Sequence, residues 1–176
     1  MGLLKYLVGY GIMECLHTIN AKNQAIRYAN SLPNPKLNIG AAGVGQPIIP
    51  LATLNSGKKC DICPDKIKNI EYCELGKQLP YTNKEFNVVF ASHVLEHIYP
   101  EQIRFAIGEM SRIGHKVIIV VPHPLATSNY LVPSHKSLIY KIDRPYGIYA
   151  TNNSLQNTDF YEDHIYLDPD TFKIYQ

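Results

Sequence analysis

The sequence predicts an α/β protein with a doubly wound, mostly parallel sheet, and three observations predict it. Short apolar runs alternate with helix-like segments between residues 36 and 122. Two of the runs, Phe86 to Ala91 and Lys116 to Val121, are almost continuously apolar, the pattern of strands covered on both faces. A glycine-containing turn follows the first run, and polar, chemistry-bearing residues follow the later ones. Such alternation gives right-handed crossovers and helices on both faces of the sheet.

The elements follow in order. Leu3, Leu4, Leu7, Val8, Ile12, Leu16 and Ile19 recur at helical spacing, so residues 1–31 read as an amphipathic helical segment packed on the domain. Leu32-Pro33-Asn34-Pro35 breaks it. Lys36 to Gly40 is the first strand, Gly40 to Gly45 a tight turn, and Gln46 to Ser56 a helix closed by Gly57. Lys58 to Ile62 is the second strand, Pro64 to Asn69 a turn or a short helix, and Glu71 to Leu75 the third strand. Phe86 to Ala91 is the fourth strand. Val94 to Ile98 is a short helix before Pro100, and Glu101 to Ile113 is a helix with Ile103, Ala106, Ile107 and Met110 on one stripe. Lys116 to Val121 is the fifth strand. The 176 residues thus read as one domain, with an N-terminal helical segment (1–31), a core (36–122) and a variable segment (123–176).

Composition narrows the function classes. Seventeen Lys+Arg against 15 Asp+Glu give a net charge of +2, without the basic clustering of a nucleic-acid groove. The apolar N-terminus is interrupted by Lys5, Glu14 and His17, too polar to span a bilayer or serve as a signal sequence. The four cysteines form no dense framework, and a reducing cytoplasm is the simpler expectation. Cys60-Asp61-Ile62-Cys63 has no second pair at zinc spacing, so neither a metal nor a redox role is expected for it.

In a doubly wound sheet ligands bind beyond the carboxyl ends of the strands, so the residues there are the candidates. Asn38-Ile39-Gly40-Ala41-Ala42-Gly43 ends the first strand, where glycine lets backbone approach a ligand. Asp61 ends the second, 21 positions after Gly40, where an acid can accept both hydroxyls of a ribose. Glu74 ends the third. Ser92, His93, Glu96 and His97 follow the fourth, with His93 and His97 four apart, a spacing that would share a helix face.

These residues carry a resemblance. LNIGAAGVG, CDICP, ELGKQLPYTNKEFNVVFASHVLEHI and EMSRIGHKVIIVVPHP together resemble class I S-adenosylmethionine-dependent methyltransferases, in particular the methyltransferase type 11 group, over about half of the chain. The resemblance implies a Rossmann-like methyltransferase fold and transfer of a methyl group from S-adenosyl-L-methionine to an acceptor such as a sugar or a small hydroxylated molecule. It implies that Asn38, Gly40, Ala41 and Gly43 hold the methionine part, that Asp61 binds the ribose, that Ile62 beside it is also cofactor-binding, that Glu74 and Leu75 flank the adenine, and that Ser92 and His93 lie beside the transferable methyl. His93 is the candidate base, with His97, Glu96 and His123 as second choices.

The chain departs from the family pattern in places. Asn38 stands where an acid is common, and the glycine turn is one residue longer than usual. The turn before the fifth strand is compressed to Ile113-Gly114-His115. Residues 163–172 resemble the approach to the family's last helix, leaving little room for its final antiparallel strand pair. With that pair missing the fifth strand would be a sheet edge, expected to be covered by residues 125–161 or paired with another subunit in a homodimer. Ala91-Ser92-His93-Val94 lacks the Pro-Pro-aromatic segment of nucleic-acid amino methylation. Two rivals stand beside the enzyme reading. One is a dinucleotide oxidoreductase, against which the His-Val-Leu-Glu-His block speaks. The other is a catalytically degenerate methyltransferase-like binding or structural module, motivated by these departures. The tyrosine-rich segment after Val121 is read as packing, an acceptor pocket or an interface.

Overall fold

The computed structural model describes residues 22–42, 54–122, 133–143, 147–152 and 166–167. Helix α1 covers residues 22–31. Strands β1 (Lys36–Ile39), β2 (Lys58–Asp61), β3 (Ile70–Tyr72), β4 (Phe86–Ser92) and β5 (Gly114–Val120) are parallel. Helix α2 (Pro100–Ile113) connects β4 to β5. A hairpin follows, β6 (Ser137–Asp143) with β7 (Gly147–Asn152), and then the two-residue strand β8 (Tyr166–Leu167). The main sheet has the order β3-β2-β1-β4-β5-β8, a Rossmann-like arrangement of five parallel strands and one antiparallel.

The period-two alternation of β4 and β5 builds two cores. Val89, Ala91, Val117, Ile119 and Val121 join one, with Ile103, Ala106, Ile107, Met110 and Ile113 of α2. Val88, Phe90, Ile118 and Val120 join the other, with Ala25, Ile26 and Ala29 of α1. Each fully buried large apolar side chain contributes about 1.5–3 kcal/mol, and together they fix which face each helix covers. Pro100 opens α2 where no backbone N–H is needed, and the Lys84 ammonium donates to Ser111 O and Gly114 O at its end. Glycine is required at position 114, where a Cβ would lie 2.6 Å from Val89 Cγ2.

Several expectations are corrected. The third strand is Ile70–Tyr72, not Glu71 to Leu75: the Cys73 N–H still donates to Asp61 O at 3.0 Å, but the strand ends there and Leu75 turns into the core. Leu54, Asn55 and Ser56 are not helical, and the rest of the expected 46–56 helix lies outside the described residues. Residues 94–98 form one 3-10 turn, Leu95–His97. The fifth strand is not the edge. Tyr166–Leu167 pair antiparallel with it, Leu167 opposite Ile119 and Tyr166 opposite Val120. Residues expected to lead into a helix are thus extended at 166–167, and among the described residues the sheet carries one two-residue antiparallel strand at this edge, not a pair. Cys60 and Cys73 are disulfide-bonded, with Cα atoms 5.5 Å apart. No redox role for the Cys60–Cys63 pair and no disulfide framework were expected from the sequence. The β2–β3 pairing instead brings Cys73 beside Cys60, and Cys63 is an exposed thiol. Among the described residues no helix is long and apolar enough to cross a membrane.

Candidate functional site

Because β1 to β4 are parallel neighbours, their carboxyl ends at Ile39, Asp61, Tyr72 and Ser92 lie along one edge. The chain runs outward from β1 through β2 to β3, then returns to place β4 on the other side of β1. The β1–β4 junction is therefore the switch point, where such sheets bind ligands.

Three strand-end loops meet there. Gly40 has φ +76°, and its N–H donates to Cys60 O at 2.9 Å. A Cβ on Gly40 would lie 2.2 Å from Val94 Cγ2, so only glycine lets the β1 loop pass under the β4 loop. The β1 and β2 loops are clasped by Asp61. Its Oδ2 accepts the Ala42 N–H at 2.9 Å and its Oδ1 accepts the Cys63 N–H at 2.8 Å. Each oxygen keeps a further lone pair, and the backbone bonds fix where the carboxylate points. Ile62 beside it is 60% exposed, a bare apolar surface at the same edge.

The other expected positions divide. Asn38 is half-buried within β1, opposite Lys59 on one side and Phe90 on the other. Glu74 lies just past β3. It accepts from the Tyr72 hydroxyl at 2.6 Å and pairs with Lys77 at 2.8 Å. The hydrogen bonds from Lys77 and then Tyr72 hold its carboxyl below the usual range. Leu75 is a core residue, and the exposed apolar surface at these strand ends comes from Ile62 and Tyr72. Gly43 and His123 lie outside the described residues, as do Tyr130, Tyr146 and Tyr161.

The β4 end holds the densest chemistry. Ser92 closes the strand, and His93 follows in the left-handed region at φ +56°, its N–H donating to Val120 O at 2.9 Å. A non-glycine residue held in that region costs of order 1–3 kcal/mol, and such residues cluster at functional sites. The kink separates His93 from the 3-10 turn, so His93 and His97 do not share a helix face as their spacing suggested. It does bring His93 Nδ1 to 3.2 Å from Glu96 Oε1. Glu96 is only 1% exposed. Among the described residues, the buried side-chain polar atoms lacking a hydrogen-bond partner are Ser92 Oγ, His93 Nε2 and both oxygens of Glu96. All four fall within five residues, and buried groups of this kind call for an explanation in function.

Two neighbours were missed by sequence reasoning. His135 is buried against the same turn, its ring edge-on to His97 with centroids 4.7 Å apart. The Lys136 N–H donates to Glu96 O at 2.7 Å and Ser137 Oγ donates to Ile98 O at 2.5 Å, so main chain clamps residues 134–137 onto the turn. Burial pushes the His135 imidazole down, Glu96 raises it, and His97 and His93 lower it further. Lys22, at the start of the described part of α1, is near enough to feel the Glu96 charge. Burial lowers its ammonium and the Glu96 charge opposes that shift. The available signal was weak. Ser134-His135-Lys136 precedes an alternating strand-like run, but no local spacing ties it to residue 96.

No protein-family model matches this sequence, and no curated protein matches it. Solved structures do. The chain is similar to a Pyrococcus horikoshii OT3 protein (15% identity, 60% of this chain and 60% of that one, TM-score 0.39). It is similar to an S-adenosylmethionine-dependent methyltransferase from Archaeoglobus fulgidus (19% identity, 62% of this chain and 54% of that one, TM-score 0.41). It is also similar to the trans-methyltransferase CalH, solved with S-adenosylhomocysteine (14% identity, 86% of this chain and 61% of that one, TM-score 0.42). The match thus spans under two thirds of each of these three proteins.

Proposed function

We propose that the protein binds S-adenosyl-L-methionine at the β1–β4 switch point and transfers its methyl group to an acceptor, a sugar or another small hydroxylated molecule. One observation carries this reading. The turn after β1, with glycine at φ +76°, is clasped to the acid that ends β2 and lies directly under the loop after β4. A glycine turn approaches a ligand with its backbone, and an acid one strand over accepts ribose hydroxyls, which is the requirement for an adenosyl group.

The residues present fit the cofactor. Backbone at Gly40 and Ala41, with Asn38, would hold the methionine part, together with Gly43, which lies outside the described residues. Asp61 takes the ribose through the lone pairs its backbone bonds leave, and Ile62 offers an apolar surface to the adenine, with Glu74 beyond it. When bound, the cofactor supplies an electrophilic sulfonium methyl. The protein's own part is orientation and proton handling. Ser92 and His93 flank the reacting end. Glu96 lies 3.2 Å from His93 Nδ1 and orients the ring, and His93 is the candidate to take a proton from an acceptor hydroxyl. Much of the rate in such a transfer comes from in-line positioning, which a kinked, clamped loop provides.

Calorimetric titration with S-adenosylmethionine and S-adenosylhomocysteine tests the reading. Binding is expected at micromolar concentrations, weakened at least about tenfold by Asp61→Asn. No heat and no thermal shift at millimolar ligand would overturn it in favour of a non-binding module. Tighter binding of a nicotinamide dinucleotide would overturn it in favour of an oxidoreductase.

A further inference from the structure

We propose that Glu96, His97 and His135 form a binding site for a divalent transition-metal ion of the zinc class, beside the β4 strand end. One ligand atom from each, a carboxylate oxygen and two imidazole nitrogens, all lie within 4.8 Å of one another. A tetrahedral zinc site needs separations of about 3.4 Å at metal–ligand distances of about 2.1 Å, so side-chain movements of about an ångström close it.

Three independent features build the site. The first is tautomer control. His97 Nδ1 lies 3.2 Å from Ser134 O, and a carbonyl only accepts, so that nitrogen carries the proton and Nε2 keeps its lone pair. A metal-ligating histidine almost always donates its second nitrogen to a carbonyl or carboxylate in this way. The second is the buried carboxylate. Glu96 is 1% exposed and neither oxygen accepts a hydrogen bond among the described residues. A buried carboxylate is costly unless a cation or enough polar contacts compensate it. His93 Nδ1 engages Oε1 at 3.2 Å, and Lys22 reaches Glu96 through its charge without a hydrogen bond between them. Oε2 is left to a metal. The third is main-chain rigidity: the Lys136 N–H to Glu96 O bond holds the two chain segments in register, so His135 is delivered by backbone.

Donor chemistry sets the ion. Two imidazoles and one carboxylate suit zinc and its divalent neighbours, whereas magnesium and calcium prefer all-oxygen shells. Three protein ligands leave a fourth position open, the pattern of sites that take a water or a substrate oxygen. The ion's donors are not ones the cofactor itself needs, and Glu96 is the residue shared with the proton handling proposed at His93.

The test uses the full chain, stripped with chelator and dialysed, with no cofactor present. Zinc is titrated alone, its stoichiometry read by mass spectrometry of the dialysed metal, and cobalt(II) is titrated as a spectroscopic probe. One equivalent of zinc and a cobalt d–d band of tetrahedral intensity are expected. His97→Ala and His135→Ala each weaken the ion at least about a hundredfold, and His115→Ala, on β5, leaves it unchanged. Should those variants fail to fold, histidine-ring nitrogen spectra of the unaltered protein decide. Zinc shifts Nε2 of His97 and one ring nitrogen of His135. Substoichiometric metal, a band unchanged in both variants, or ring shifts confined to other histidines would overturn the proposal. Metal binding without any response to S-adenosylmethionine sinks the methyl-transfer reading and leaves this one standing; the reverse result does the opposite.

Discussion

At residue 40 the backbone and a neighbouring side chain make the same demand. The φ of +76° favours glycine, and the 2.2 Å approach to Val94 Cγ2 excludes any Cβ. Gly40→Ala is therefore expected to cost about 1–3 kcal/mol from strain and overpacking, seen as a lower denaturation midpoint. It also displaces the β4 loop, so cofactor affinity falls with stability. His93 separates the two effects. Its φ of +56° is strained for histidine but free for glycine. His93→Gly releases the backbone strain but takes its contact from the buried Glu96, so stability should fall by about 1–3 kcal/mol, while methyl transfer to a hydroxyl acceptor is lost and S-adenosylmethionine affinity is largely kept. Equal loss of both would mean that the imidazole holds the cofactor and does not move a proton. His93 and Gly40 were legible as candidates because glycine turns and post-strand histidines announce themselves locally. Their backbone conformations were not, since a left-handed histidine has no sequence signature.

The α2 element shows how a helix orders the loop that precedes β4. Arg112 donates to Glu109 through Nε and one terminal nitrogen, each at 2.8 Å. It also donates to Leu79 O, Tyr81 O and Asn83 Oδ1, and Glu109 accepts the Leu79 N–H. The hydrogen bonds from Arg112 come first in holding the Glu109 carboxyl below its usual range, with the Leu79 N–H and the Arg112 charge adding and burial opposing. A carboxyl depressed in the folded state contributes stability above its unfolded value, and that contribution fades as pH falls through the folded value. Glu109→Gln should thus cost about 1–2 kcal/mol at pH 7, and the gap to the parent should close below about pH 4. A gap constant across pH would assign the effect to packing. The helix itself was readable from its apolar stripe. Its anchoring was not, because the partners of Arg112 lie about thirty positions back in a segment without periodicity. The same cause hid the Cys60–Cys73 bond, the β6–β7 hairpin and the role of His135. Each depends on which strands become neighbours, and alternation of apolar runs fixes strand existence far better than pairing.

On the scale of the whole molecule, two bound groups would draw on adjacent but separate loops. The adenosyl group uses the ends of β1 and β2, and the metal uses the turn after β4 with the strap before β6. A ligand that binds only the folded chain stabilises it by about 2.7 kcal/mol at a hundred times its dissociation constant. For a chain of this size that raises the melting temperature by roughly 5–10 °C. Saturating S-adenosylmethionine and saturating zinc should each give such a rise. Independent sites add within a few tenths of a kcal/mol, whereas groups that share a partner do not. Glu96 would couple the two, since it lies against His93 and is one of the three residues proposed for the metal. The combined rise should accordingly depart from the sum, and Asp61→Asn should remove the cofactor's share while keeping the zinc share. Melting curves with each ligand, with both, and in Asp61→Asn and His97→Ala decide the matter. Strict additivity would cut the link through Glu96. Loss of both rises in either single variant would show one site where the geometry describes two.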